Sequence, residues 1–300
     1  MIRKKTSNYL LLALVAGILG LSLWQAHAAH TYIKDVQLLE TVTSVEELEA
    51  ALSSVRLKTY QVHPVQPFSV MELENLDVIF IKGNHPAVYV NSQQRRSVAV
   101  DVTEGKLRIS NTSDRYVSYN KVIVISPQSA DVYINMTKDF FSRFEIAGFG
   151  DAAPQVVVNS GTAVVGVCLK NIQLTLRQEG NLYLSRLNHF PMPEASHISL
   201  QLENAGAFSL SGEQKLASLS IQGSFAEGIK NVRTINGVTT ATNYDINNRI
   251  DGFSSCDSLY INLVRPSSQG QTTLNLPKSW EGFRQYIQTD ENVRLVWKED

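Results

Sequence analysis

Three hundred residues, 43% of them apolar and only 18% charged, are enough for one large core or two smaller ones. The formal charge is −1 and no basic patch stands out, which argues against nucleic acid as a partner. Two cysteines, scattered histidines and the lack of CxxC or HExxH argue against a metal site, and no cofactor is expected.

Arg3, Lys4 and Lys5 form a positive segment ahead of an apolar run of about 16 residues, Tyr9 to Trp24. Ala26-His27-Ala28 then offers small residues at both positions a signal peptidase reads, so residues 1–28 are expected to be a signal peptide cut between Ala28 and Ala29. Cleavage removes three cations and no acid, taking the net charge from −1 to −4. An uncleaved anchor is the competing reading, because the run approaches the minimum for a span. It would be the chain's one membrane contact. No Cys follows the run, so lipid attachment is not expected. The expected destination is the periplasm or the cell surface. In an oxidising compartment Cys168 and Cys256 could form one disulfide closing a long loop, or remain two separate buried thiols.

Residues 29–64 form an N-terminal helical cap segment. Ser44-Val-Glu-Glu47 fits a capping box, and Val45, Leu48, Leu52 and Val55 recur at helical spacing, which predicts a helix of about 11 residues. Its apolar stripe is expected to cover one open end of a β stack, whose terminal ladder needs protection.

From Phe68 the chain reads as strand after strand. Val78-Ile-Phe-Ile81, Ala87-Val-Tyr-Val90, Leu107-Arg-Ile109 and Val122-Ile-Val-Ile125 are short, β-branched and separated by turns such as Lys82-Gly-Asn84 and Glu104-Gly-Lys106. Two later passages superimpose without a gap at a spacing of 26 residues. Leu174-Thr-Leu176, a polar triplet, Gly180 and Leu182-Tyr-Leu184 fall on Leu200-Gln-Leu202, Gly206 and Phe208-Ser-Leu210. A unit with one apolar face per strand must stack on its neighbours to bury it. Starts near 144, 156, 174, 200, 219 and 238 give irregular steps near 20 residues. The fold expected is all-β, a right-handed β-helix or β-solenoid-like stack of short strands with a short N-terminal helix. It spans residues 65–265, with 266–300 as a C-terminal cap and tail carrying Trp280, Phe283, Tyr286 and Trp297.

The ordered series Leu76-Asp-Val78-Ile-Phe80-Ile-Lys-Gly83, Glu104-Gly-Lys-Leu107-Arg-Ile109, Lys121-Val-Ile-Val-Ile125-Ser-Pro127 and the recurrent apolar-x-apolar-x-Gly strands resembles the putative auto-transporter adhesin, head GIN domain family (DUF2807). The resemblance covers residues 65–265. The family's Gly-Ser-Gly-Asp turns survive only as Gly148-Phe-Gly-Asp151 and partly as Gly223-Ser224, as in a divergent member. It implies a β-solenoid in an exported bacterial envelope protein of no established enzymatic activity, and it supplies no catalytic residues to carry over.

β-Helical polysaccharide lyases and hydrolases need clustered acids with a base or a bound Ca²⁺. The candidates here are Asp139, Asp151, Asp245, Asp251 and Asp257, with Arg143, Arg177, Arg186, Arg233 and Arg249 near them in sequence. No Asp-Asp pair or Asp-x-Asp triplet occurs, and acids at turns mostly bond their own backbone. His189 and His197 flank the Pro-rich insertion at 189–193, where ordinary loop histidines are the plainer reading. The expectation is therefore a non-catalytic envelope protein presenting a β surface for adhesion or for binding an envelope protein, surface protein or glycan. A periplasmic structural or assembly factor is the second reading, and a carbohydrate-active enzyme the third.

Overall fold

In a computed structural model the chain is described over residues 2–42, 44–53, 59–92, 94–113, 121–137, 141–185, 190, 193–226, 230–235, 238–243, 246–266, 271–281 and 284–299. Most of it is strand, arranged in two large sheets of 11 and 10 strands. From Asp131 to Lys298, the Lys230–Asn243 hairpin aside, successive strands alternate between the sheets. Within each sheet the neighbouring strands of this region pair in parallel.

The superposition seen in the sequence is a physical register. Leu174 pairs with Leu200 and Leu176 with Leu202 in the second sheet, while Leu182 pairs with Phe208 and Leu184 with Leu210 in the first. Gly180 and Gly206 meet at equivalent turns, where the Gly206 N–H donates to the Gly180 carbonyl at 3.0 Å. Alternation sends Leu174, Leu176, Leu200 and Leu202 inward, into one core between the sheets. That core runs from Phe68 to Val293, and most strands add two to four side chains to it.

Several details differ from expectation. The runs at Phe144 and Val156 are not separate starts. Phe141–Ala147 lies in the first sheet and Gln155–Ser160 in the second, so they are opposite sides of the same layer. The segment near 238 is not a coil either. Lys230–Ile235 and Val238–Asn243 pair with each other in antiparallel fashion, as a separate two-stranded sheet. The missed signal is Asn236-Gly237 between two short runs, the strongest short-range hairpin cue; that turn lies outside the described residues. At the N-terminal end the stack stops being parallel. Tyr60–Pro64 pairs antiparallel with Ala87–Asn91, and Val98–Thr103 antiparallel with Lys106–Asn111.

The capped helix forms over Val45–Ser53, with the Ser44 hydroxyl oxygen accepting the Glu47 N–H at 3.1 Å. It does not cover an end. Leu48 and Ala51 pack with Ile79, Ile81, Ile123 and Ile125, the outward residues of two strands in the first sheet. Those strands are apolar on both faces because one face meets the core and the other the helix. Ahead of it a long helix, Ile2–Thr41, runs through Ala28 and Ala29, both exposed. Its C-terminal part is tied to the body. Asp35 is buried and its carboxylate accepts both the N–H and the hydroxyl of Thr59. Among the described residues no helix is long and apolar enough to cross a membrane.

Candidate functional site

Strand alternation leaves each sheet with one outward face, and the two faces differ in chemistry. On the first sheet the N-terminal half is covered by the Val45–Ser53 helix. On the second sheet the pairing sets side chains in straight outward rows. One row runs Gln201, Gln222, Asn262, Gln288, four amides on adjacent strands. Beside it run Ser199, Ser220, Tyr260 and Tyr286, and on its other flank Arg177, Glu203, Ser224 and Val264.

Two features shape this surface. Gln201, Glu203, Asn204, Ser224, Asn262 and Val264 line a shallow groove of about 560 Å³ where register shifts between Glu203 and Ala205. Next to it, the rings of Tyr260 and Tyr286 stack with centroids 5.0 Å apart and planes 9° from parallel. Tyr286 is half exposed, and its hydroxyl donates to Gln288 Oε1 at 2.9 Å. The groove's one carboxylate, Glu203, is held by Arg177 at 2.6 Å, which leaves a neutral field along the amide row.

Such a surface can exchange hydrogen bonds in both directions, because each amide carries donors and acceptors. It offers no general acid or base pair. The sequence's candidate acids are spread over the molecule. Asp151 faces Lys170 at 3.7 Å, Asp251 faces Arg249 at 2.6 Å and Asp257 faces Lys215 at 2.7 Å, each an exposed or half-exposed ion pair. Arg143 is outward on the first sheet, its N–H donating to Asp77. Arg233 lies on the inserted hairpin. Asp139, Asp245, Arg186 and His189 lie outside the described residues, and His197 shares a 2.9 Å hydrogen bond with the Ser218 hydroxyl. Among the described residues no group of three or more His, Cys, Asp and Glu could hold a metal ion.

Three other tyrosines do not share a face. Tyr133 is outward on the second sheet, Tyr183 outward on the first, and Tyr89 packs beside the helix; Tyr116 and Tyr119 lie outside the described residues. The pair that does meet, Tyr260 and Tyr286, is 26 residues apart in sequence, and only parallel pairing brings it together.

In the structure Cys168 and Cys256 stand apart as two separate thiols, the second of the two arrangements that the sequence left open. The reason is topological. Cys168 packs on the outer, helix-covered side of the first sheet, whereas Cys256 belongs to the core between the sheets. A bond would have to pass through a sheet. Burial pushes the Cys256 thiol upward, and Asp257 adds to the shift. Iodoacetamide at pH 8 is therefore expected to alkylate Cys168 well before Cys256 in the folded protein. Peptide mass spectrometry before and after unfolding reads this directly, and equal rates would contradict the placement.

No family model matches the sequence, and no curated protein matches it. Solved structures do. One is from Bacteroides fragilis, described as a putative adhesin, at 9% identity and TM-score 0.46, covering 79% of this chain and 96% of that one. A second, from Parabacteroides merdae and also described as a putative adhesin, has 11% identity and TM-score 0.38 over 80% of this chain and 95% of that one. A third, from Parabacteroides distasonis and described as a putative lipid binding protein, has 9% identity and TM-score 0.29 over 80% and 95%.

Proposed function

We propose that this chain is an exported, non-catalytic envelope protein whose β-solenoid presents the outward face of its second sheet to a partner, a glycan or a surface protein. The solenoid reading rests on the strand-by-strand alternation between two parallel sheets, and a divergent GIN-type domain is the family it fits. The observation that carries the functional reading is the aligned row Gln201, Gln222, Asn262 and Gln288 beside the stacked Tyr260 and Tyr286. Ordered amides next to exposed aromatic surface suit ligands rich in hydroxyls or peptide groups. Export is supported by the basic segment, apolar run and Ala26-His27-Ala28 site, with Ala29 as the new N-terminus.

The test combines location with binding. A membrane-impermeant label on intact cells should modify the chain, and the purified protein should retain a subset of glycans or envelope extracts at micromolar concentration. Gln222→Ala, Asn262→Ala and Tyr286→Ala combined should weaken that binding at least tenfold with an unchanged circular dichroism spectrum. Binding that survives the triple change would remove this face from consideration. Protection from the label together with periplasmic cross-links would favour the assembly-factor reading instead.

A further inference from the structure

The two ends of the stack are built differently. At the N-terminal end the outermost strands, Tyr60–Pro64 and Val98–Thr103, run antiparallel to their neighbours, and the first carries Pro64, which has no N–H to offer. At the other end the outermost strands are Arg284–Thr289 in the second sheet and Val293–Lys298 in the first, and each has one neighbour only among the described strands. Among the described residues their outer main-chain edges have no strand partner. An edge strand is commonly protected by an inward-pointing charge, a proline or a bulge. Here the inward residues are Gln285, Ile287 and Thr289 on one strand and Val293, Leu295 and Trp297 on the other, none of them charged. Ile287, Leu295 and Trp297 are only partly buried, so the core itself surfaces at this end. Gln285 and Thr289 soften the end toward water without covering the edges.

We infer that this end pairs with the same end of a second copy, edge strand to edge strand in antiparallel fashion about a twofold axis through Ile287. Charge complementarity singles out this occupant. Arg284 opens the strand and Asp290 follows it, so antiparallel apposition about Ile287 sets Arg284 of each copy opposite Asp290 of the other. The Asp290 carboxylate accepts the Arg265 and Asn292 N–H groups and keeps lone pairs for a guanidinium. The same register sets Tyr286 opposite Gln288, repeating across the axis the hydroxyl-to-amide contact made within each strand. An axis normal to the sheets also brings Val293–Lys298 against its own copy, so both sheets continue through the junction. Six-residue strands about 20 Å long, in two sheets about 10 Å apart whose outward side chains add about 5 Å on each side, give an end face of about 400 Å² per copy. The total, about 800 Å², is below the roughly 1,200 Å² of a stable standard interface, so the dimer is a weak one.

Sedimentation equilibrium of the purified exported chain, from about 5 to 500 µM and in mild detergent if the N-terminal helix is retained, should show a monomer–dimer equilibrium. Arg284→Glu sets like charges together twice and should weaken it at least tenfold; Arg284 is exposed, so the fold tolerates the change. Ile287→Cys should give an oxidised dimer within the same concentration range, because directly opposed residues bring their Cα atoms within disulfide reach. Gln288→Cys, displaced from the axis, should cross-link far less. A monomer throughout, open polymers, or a dimer indifferent to Arg284→Glu and lacking the Ile287→Cys cross-link would each overturn the inference.

Discussion

Replacing Gly223 by alanine is expected to destabilise the fold by about 3 kcal/mol or more, lowering the thermal midpoint by roughly 6–12 °C. Gly223 sits at φ +118°, a conformation that side-chain-bearing residues rarely adopt. Space is the larger obstacle. A Cβ there would lie 2.0 Å from the Leu202 carbonyl oxygen and 3.0 Å from the Leu202 nitrogen. Those atoms are main chain in the neighbouring strand, and the ladder Leu202–Gly223–Leu263 holds them from both sides. The strands would have to separate beside the groove. Gly105 provides the control, with φ +74° and nothing within 4 Å of where a Cβ would sit. Gly105→Asn should cost under about 1 kcal/mol, since Asn tolerates that conformation. Urea unfolding of the two variants, followed by circular dichroism, should separate them clearly. Equal midpoints would mean that the close approach at Gly223 does not exist.

The second large effect is expected at Asn248, a fully buried amide in the first sheet. Its Oδ1 accepts the Phe208 N–H at 2.9 Å, and its Nδ2 donates to the Thr273 carbonyl at 3.3 Å, which bridges the strands on either side. Asn248→Ala leaves the Phe208 N–H without its acceptor in a site with no water access and opens a small void, for a cost of about 3 kcal/mol. Asn248→Asp tests the same geometry with a sign. It keeps an acceptor for Phe208 but faces the Thr273 carbonyl with a carboxylate, and burial favours its protonated form. A carboxyl whose pKa is raised by folding stabilises the protein fully below its unfolded value of about 3.9 and loses that contribution as pH rises through the folded value. Asn248→Asp should therefore gain stability relative to Asn248→Ala on acidification from pH 7 toward 4. Parallel pH profiles would show that residue 248 does not bridge the strands.

Both effects depend on the strand order, and the sequence conveyed that order unevenly. It was plain where one spacing governs both sides of the stack. Leu174 to Leu184 and Leu200 to Leu210 match because their strands are neighbours in register. It was hidden where the spacing breaks. The inserted hairpin at Lys230–Asn243 shifted the next layer to Ile246, and an alternating polar run such as Val238-Thr-Thr-Ala-Thr reads equally well as a hairpin arm or as one more coil strand. The Ser44 cap and the helix it starts were legible because capping is local. What that helix covers was not. Ile79, Ile81, Ile123 and Ile125 look like ordinary buried-strand residues, and nothing local tells a face turned to a sheet from one turned to a helix.

The candidate site follows the same division. Gln201, Gln222, Asn262 and Gln288 are ordinary polar residues in sequence, and a polar position in an alternating strand only predicts the outward side. The sequence by itself determined alternation, turns and the repeated layer. Only the tertiary structure decided which outward residues line up, that Tyr260 meets Tyr286, that Cys168 and Cys256 lie on opposite sides of a sheet, and that Arg284–Thr289 and Val293–Lys298 are the outermost of the described strands at one end. These are long-range pairings, and their register is set by which whole strands become neighbours.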